Sequence, residues 1–382
     1  MTAEMAKENS FGTAFYELIT SEQDTALRSI REEAFRVFQE QGLPTVRNED
    51  WKYTNVAPLA AIDWSVDDSA MAVGQVVPTE LLSGFRIERN GFTALNLAFA
   101  NVALLRISKE TIVDEPIEFD FAGEDGKAIF PHIIVIAEAG SKATIVEKYA
   151  SQAKSFTNTA IQIFVEDNAN LTHYRVQKES AEAFHYGVTE VTVNRGGSYN
   201  ATSINLGGAL SRHDIEVKFT AEGGEAWVDG LYMLNGTQHH DTHSIIDHTV
   251  PNCTSHQNYR GVLNDKSRAV FNGKVFVREN AHGTDAEQSN KYLLLSNDAR
   301  VDTKPQLEIF NDDVKCSHGA TVGQLEDEEL FYLLTRGLPE SLARNLLTYG
   351  FAEEVINKIN IEAIKGELDE AVLNRLNTKL EA

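Results

Sequence analysis

The sequence predicts a mainly β protein: a parallel β-helix core flanked by helical segments at both ends. Three observations predict it. Turns of one texture recur about every 28 residues through the middle of the chain. Short β-branched runs fill the intervals between them. Helical periodicity is confined to roughly the first 60 residues and to the stretch after about residue 325.

The N-terminal region reads as helical. Leu27, Ile30, Ala34, Phe35 and Phe38 recur at spacings of three and four and make one apolar face. Gly42 and Pro44 stop that helix. Arg47 to Thr54 follows as a polar loop carrying Trp51 and Tyr53, and Met71 to about Gly91 is too weakly periodic to assign. From about Thr93 runs such as Ile133–Ile136, Ile161–Val165 and Val188–Val193 alternate with Gly, Asn and Asp turns. No long amphipathic helix interrupts them, which argues against a doubly wound α/β sheet. Turns centred on Gly140, Ala169, Gly197 and Gly224 lie 29, 28 and 27 residues apart, and two more, at Lys266 and Ala299, follow at 42 and 33. A strand-only repeat of this length is expected of a solenoid, whose coils bury their inward residues by stacking. A β-sandwich with regular turns is the competing topology.

Helices return after Gly323. Leu325, Leu330, Leu333 and Leu334 fit one that ends at Gly337. Pro339 starts the next, with Leu342, Leu346 and Leu347 as its face and Gly350 as its end. Two short helices, over 355–364 and 367–380, are expected to follow. A polar cap on the last coil would by itself explain this segment. The expected division is 1–92 helical, 93–322 β-helix and 323–382 helical.

Asp and Glu number 57 against 34 Lys and Arg, a net charge of −23. That counts against nucleic acid, which needs clustered Lys and Arg, and against an anionic membrane surface. Residues 1–8 contain no apolar stretch and carry Glu4 and Glu8, so neither a signal nor a transit peptide is expected and the cytoplasm is the expected location. No run approaches the roughly 18 apolar residues of a membrane helix. With only Cys253 and Cys316, a disulfide framework or a self-contained Cys-rich metal site is excluded. No P-loop, G-x-S-x-G elbow or strand-following G-x-G-x-x-G occurs, so no self-contained active site is legible.

Two clusters remain. In Asn311–Gly319, Cys316 and His318 sit at i and i+2, so on one strand they project to the same side as ligands suited to iron, zinc or a cluster. One Cys and one His do not complete a site. The alternative is a buried thiol beside a hydrogen-bonded imidazole. In Gln238–His243, the side chains of His239, Asp241 and His243 share a face; a metal site and a polar interface face both fit, and His240, His248, Cys253 and His256 lie nearby.

Arg268–Lys274, Val301–Ile309 and Asp312–Gly323, with Leu330–Leu333 and Arg336-Gly337 behind them, resemble the SufB/SufD family almost without a gap. Trp51–Thr54 and Ala94–Phe99 are weaker echoes, so the resemblance spans nearly the whole chain. It is nearer the SufD branch: Ser317 and Gly319 flank His318 where SufB-type chains carry acids, and no cysteine lies near Asn290. The resemblance implies a right-handed parallel β-helix and a scaffold in iron–sulfur cluster assembly without turnover of its own. The implied partners are SufB and the ATPase SufC, with a homodimer when the chain is isolated. His318 and Cys316 would contact iron or a transient cluster shared with SufB. Leu330, Phe331, Tyr332, Arg336 and Gly337 would bind the ATPase. A reduced flavin is a candidate electron donor in the wider complex. A purely structural homodimer and a β-helix enzyme acting on polysaccharide are the alternative readings.

Overall fold

The computed structural model describes residues 10–67 and 77–375. Its centre is a parallel β-helix of about eight turns, flanked by helices. From Pro131 onward successive strands alternate between two sheets, one of ten strands and one of eight, and every pairing within them is parallel. The competing sandwich topology is thereby excluded.

The coil length is more regular than the turn texture suggested. On one edge a residue with positive φ closes each coil: Gly140, Asn168, Gly196, Gly223, Asn252 and Gly283. Glycine and asparagine are the residues that tolerate this conformation. Lys142 pairs with Asn170, Asn170 with Ser198, Ser198 with Glu225 and Glu225 with Thr254, so the period stays close to 28. The turns at Lys266 and Ala299 belong to the opposite edge. The step from Gly224 to Lys266 is long because it crosses from one edge to the other and passes over the turn at Asn252.

Three apolar layers hold the fold. Inward residues such as Ile145, Ile163, Val191, Val217 and Phe271 fill the lumen. On the outer face of the ten-stranded sheet pack the N-terminal helices Ser10–Ser21, Thr25–Gln41 and Gly91–Phe99, through Phe15, Phe35, Phe38 and Phe92 against Phe156 and Phe184. Asp24 starts the second of these, accepting from the amides of Ala26 and Leu27, and Gly42 ends it. Gly91–Phe99 is buried along its whole length and opens on a capping box between Asn90 and Thr93, so, apart from the two-residue strand Ser65–Val66, the strands begin at Asn101. On the outer face of the eight-stranded sheet lie the helices Glu340–Ile356 and Glu362–Arg375.

Two expectations about the C-terminal segment are corrected. It does not cap the last coil: it lies along the side of the solenoid, where Ala352, Val355, Ile356 and Leu368 meet Val176, Ile204 and Leu231. Gly350 does not end a helix either. An interior glycine costs about 1 kcal/mol, and the helix runs through it because burial of Ala343, Ala352, Val355 and Ile356 more than offsets that. Its buried face is Ala343, Thr348, Ala352, Val355 and Ile356, while Leu346 is exposed. Of the helix expected over 367–380, the described part is Glu362–Arg375; positions 376–380, like residues 1–8, lie outside the described residues.

Candidate functional site

The last coil ends in two strands, Arg300–Ile309 and Val314–Gly323, each the terminal member of its sheet. Nothing among the described residues stacks on them. The first is mostly half-buried and the second largely exposed, and Ile309, Phe310 and Val322 present apolar surface there. The solenoid is therefore open at this end, with a row of unpaired N–H and C=O groups on each edge.

Cys316 and His318 sit on the second of these strands, and the pleat puts them on the same side. Cys316 is half-buried against the luminal core, and burial together with nearby Asp285 pushes its thiol above the ordinary value. His318 is exposed. No group of three or more His, Cys, Asp or Glu among the described residues is arranged to hold a metal ion. A ligand set built on this pair therefore needs donors from outside the chain. Cys253 is fully buried, with its Sγ 3.4 Å from the Pro251 carbonyl oxygen, and burial raises its pKa. It is an inert structural thiol.

The histidine cluster on His239–His248 is the polar interface face rather than a metal site. His239, Asp241 and His243 do share the outer face, but a guanidinium already occupies the position a cation would take. Arg212, 3% exposed, donates to Asp214 at 2.7 Å and to Asp241 at 3.0 Å and stacks over Trp51 at 3.8 Å. Thr54 donates to Asp241 at 2.6 Å, and His239 Nε2 lies 2.9 Å from the Thr54 hydroxyl. Burial alone would raise the Asp241 carboxyl; the neighbouring His243 and Arg212 outweigh it and hold the pKa below the usual range. This cluster fastens the loop Glu49–Thr54 to the sheet. His240 faces the lumen instead, between Ser211 (2.7 Å) and Thr242 (3.0 Å).

A luminal polar network also went unread in the sequence. Glu147, His173, Arg175, Glu179 and His185 are all at most 5% exposed. His185 Nδ1 lies 2.8 Å from Glu179, and His173 pairs with Glu147. Its only sequence signal is a set of polar residues, His173, Arg175 and Gln177, at alternate positions of Asn170–Lys178.

The ATPase-binding candidates occupy the helix Asp327–Thr335 and its end. No residue of this helix is buried; Phe331 is 67% and Tyr332 56% exposed. Arg336 covers the Tyr332 ring at 5.0 Å, and Gly337 has φ +89°. Leu330 is half-buried. Asp327, Glu328 and Glu329 crowd the first turn, so an aromatic patch stands beside an acidic one.

Residues 119–351 match the family described as SUF system FeS cluster assembly, SufBD core domain, and residues 8–82 match the SufBD protein N-terminal region. The chain belongs to the SufB/SufD family. It is 36% identical to iron–sulfur cluster assembly protein SufD of Escherichia coli, over 68% of this chain and 61% of that protein. It is 30% identical to SufD of Bacillus subtilis, over 75% and 67%. A SufBD family protein of Synechocystis is 30% identical over 93% of this chain and 92% of its own length. Within this SufB/SufD protein, the core match covers the open end and the Cys316/His318 strand, and also helix Asp327–Thr335. Among the described residues, no helix is long and apolar enough to cross a membrane.

Proposed function

We propose that the chain is the SufD-type subunit of a SUF cluster-assembly scaffold, acting in the cytoplasm with SufB and the ATPase SufC. The observation that carries this is the open last coil: a half-set of iron ligands, His318 and Cys316, stands on an unpaired strand edge beside exposed apolar side chains. Buried edges and a completed ligand set would come from the same event, the docking of SufB on this end. His318 is the iron or cluster ligand as a neutral imidazole, and Cys316 is its auxiliary. The iron and the nascent cluster are cargo, and a flavin in the complex is an electron source for iron release. The chain has no turnover of its own. SufC docks on the exposed helix Asp327–Thr335, through Leu330, Phe331, Tyr332, Arg336 and Gly337, with compensating basic residues facing Glu328 and Glu329.

The test is anaerobic reconstitution of the assembled complex with His318→Ala or Cys316→Ser. Loss of iron content and cluster absorbance with His318→Ala is expected; unchanged values would remove the ligand assignment. The same edges favour a second reading, in which two copies of the chain meet at this end and the pair is purely structural. In that case His318→Ala alters neither iron nor cluster.

A further inference from the structure

A column of luminal side chains runs inward from His318. In the sheet register His318 lies beside Gln288, and Gln288 beside Gln257, with strands spaced about 4.8 Å apart. Both glutamines are buried, at 1% and 2% exposure. The Gln288 amide nitrogen donates to Gln257 Oε1 at 3.3 Å. Gln288 Oε1, equally buried, has no hydrogen-bond partner. Nearby, Asn290 Oδ1 accepts from the Thr303 hydroxyl at 2.7 Å, while the buried amide nitrogens of Asn290 and Gln257 also have no hydrogen-bond partner. Gly273 makes the arrangement possible, because a Cβ at that position would collide with the Gln288 amide nitrogen. On the side of the open end the pair of amides therefore presents an unmatched acceptor, Gln288 Oε1, and the next side chain along the column there is the His318 imidazole.

We propose that Gln288 is the positioning residue of His318: its Oε1 accepts the imidazole N–H, so that the other ring nitrogen turns its lone pair outward to iron. This rests on the reading of His318 as a ligand. A neutral imidazole carries one N–H, and whichever nitrogen donates, the other is left to coordinate. Metal-bound histidines as a rule give their second nitrogen to such an acceptor, which fixes ring orientation and tautomer. Closure of the end by a partner removes competing water from this hydrogen bond. The exposed ring of the free chain then becomes an oriented ligand, and the buried acceptor is matched.

The experiment uses the full-length chain labelled with 15N-histidine, alone and assembled with its partners, at pH 8 where an ordinary imidazole is neutral. His318 is assigned by its loss in His318→Ala. In the assembled wild type one tautomer dominates; in Gln288→Leu the ratio moves toward that of a free imidazole; in Gln288→Glu, which keeps an acceptor oxygen, one tautomer dominates again. Gly273→Ala, which displaces the amide without removing it, acts in the same direction as Gln288→Leu. Iron(II) affinity of the assembled complex falls 10- to 100-fold in Gln288→Leu. A tautomer ratio in Gln288→Leu equal to wild type overturns the proposal, as does a ring in which Gln288 donates and the outward nitrogen carries the proton. If His318→Ala leaves iron binding unchanged, the ligand reading fails separately, whatever the tautomer data show.

Discussion

Replacing Arg212 by methionine tests the electrostatic clamp between the N-terminal loop and the β-helix. The side chain is 3% exposed, and it neutralises two carboxylates, Asp214 and Asp241, that are 3% and 1% exposed. Removing one partner of a buried ion pair costs about 3–5 kcal/mol, because the remaining charge is left uncompensated. Here both carboxylates keep a partial partner. Tyr186 donates to Asp214 at 2.9 Å and Thr54 donates to Asp241. The expected loss is therefore about 3 kcal/mol, the low end of that range, or several degrees in Tm. The pH dependence carries the diagnostic sign. In the wild type, burial pushes both carboxyls up, but Arg212 and His243 hold them below the usual value. A depressed carboxylate contributes stability above its unfolded pKa and loses it only as pH falls through the lower folded value. Without Arg212, burial acts unopposed by that cation, both groups take up protons more readily, and the penalty shrinks as pH falls from 7 toward 4.5. Denaturant melts at the two pH values, with limited proteolysis at Glu49–Thr54, measure this. A difference under about 1 kcal/mol at pH 7, or one that does not narrow at pH 4.5, would refute the clamp.

Three further outcomes are expected. Burial lowers the pKa of both His132 and His248 to about 4. The unfolded chain therefore binds protons between pH 6.5 and 4 that the native chain refuses, and about 3 kcal/mol per ring is lost across that window. His248→Gln should flatten the Tm-against-pH curve there, and an unchanged slope would contradict it. Gly261→Ala places a Cβ 2.5 Å from the Tyr232 ring and 2.6 Å from that of Tyr292, so overpacking should cost about 1–3 kcal/mol in a denaturant melt. Phe331→Ser, on an exposed helix, should leave Tm unchanged while weakening capture of the proposed ATPase partner by about 30-fold, a loss of roughly 2 kcal/mol. Undiminished binding in calorimetry would move the docking surface elsewhere.

Much of the architecture was readable because a solenoid writes its coil length into its turns. Gly140, Gly196 and Gly223 stand where the backbone needs positive φ, and few other residues adopt it. Asn168 and Asn252 do the same job without a glycine; the series passes through the first but steps over the second to the opposite edge at Lys266. The helix through Gly350 was misplaced because local propensity yielded to burial of Ala352 and Val355. Cys316 and His318 could be put on one side of one strand from spacing alone, since the pleat is local. The clamp could not be read this way: Thr54 and Asp241 are 187 residues apart, and no pattern in either segment names the other. Nor could the luminal network, because His173, Arg175 and Gln177 look like the wet face of a strand. Only the closure of the coil turns that face inward, where each ionisable group finds a partner.

The open last coil also bears on how many copies of the chain a cell can tolerate. Two ten-residue strand edges with unpaired backbone and exposed Ile309, Phe310 and Val322 are a template for any extended peptide. Among the described residues of a surplus copy nothing covers them. It either pairs with its own kind or becomes a substrate for chaperones and proteases. Synthesis in step with whatever covers that end is therefore a condition of the chain's solubility. Overproduction alone should yield dimers or aggregates in proportion to the excess, and co-production of the covering subunit should remove them.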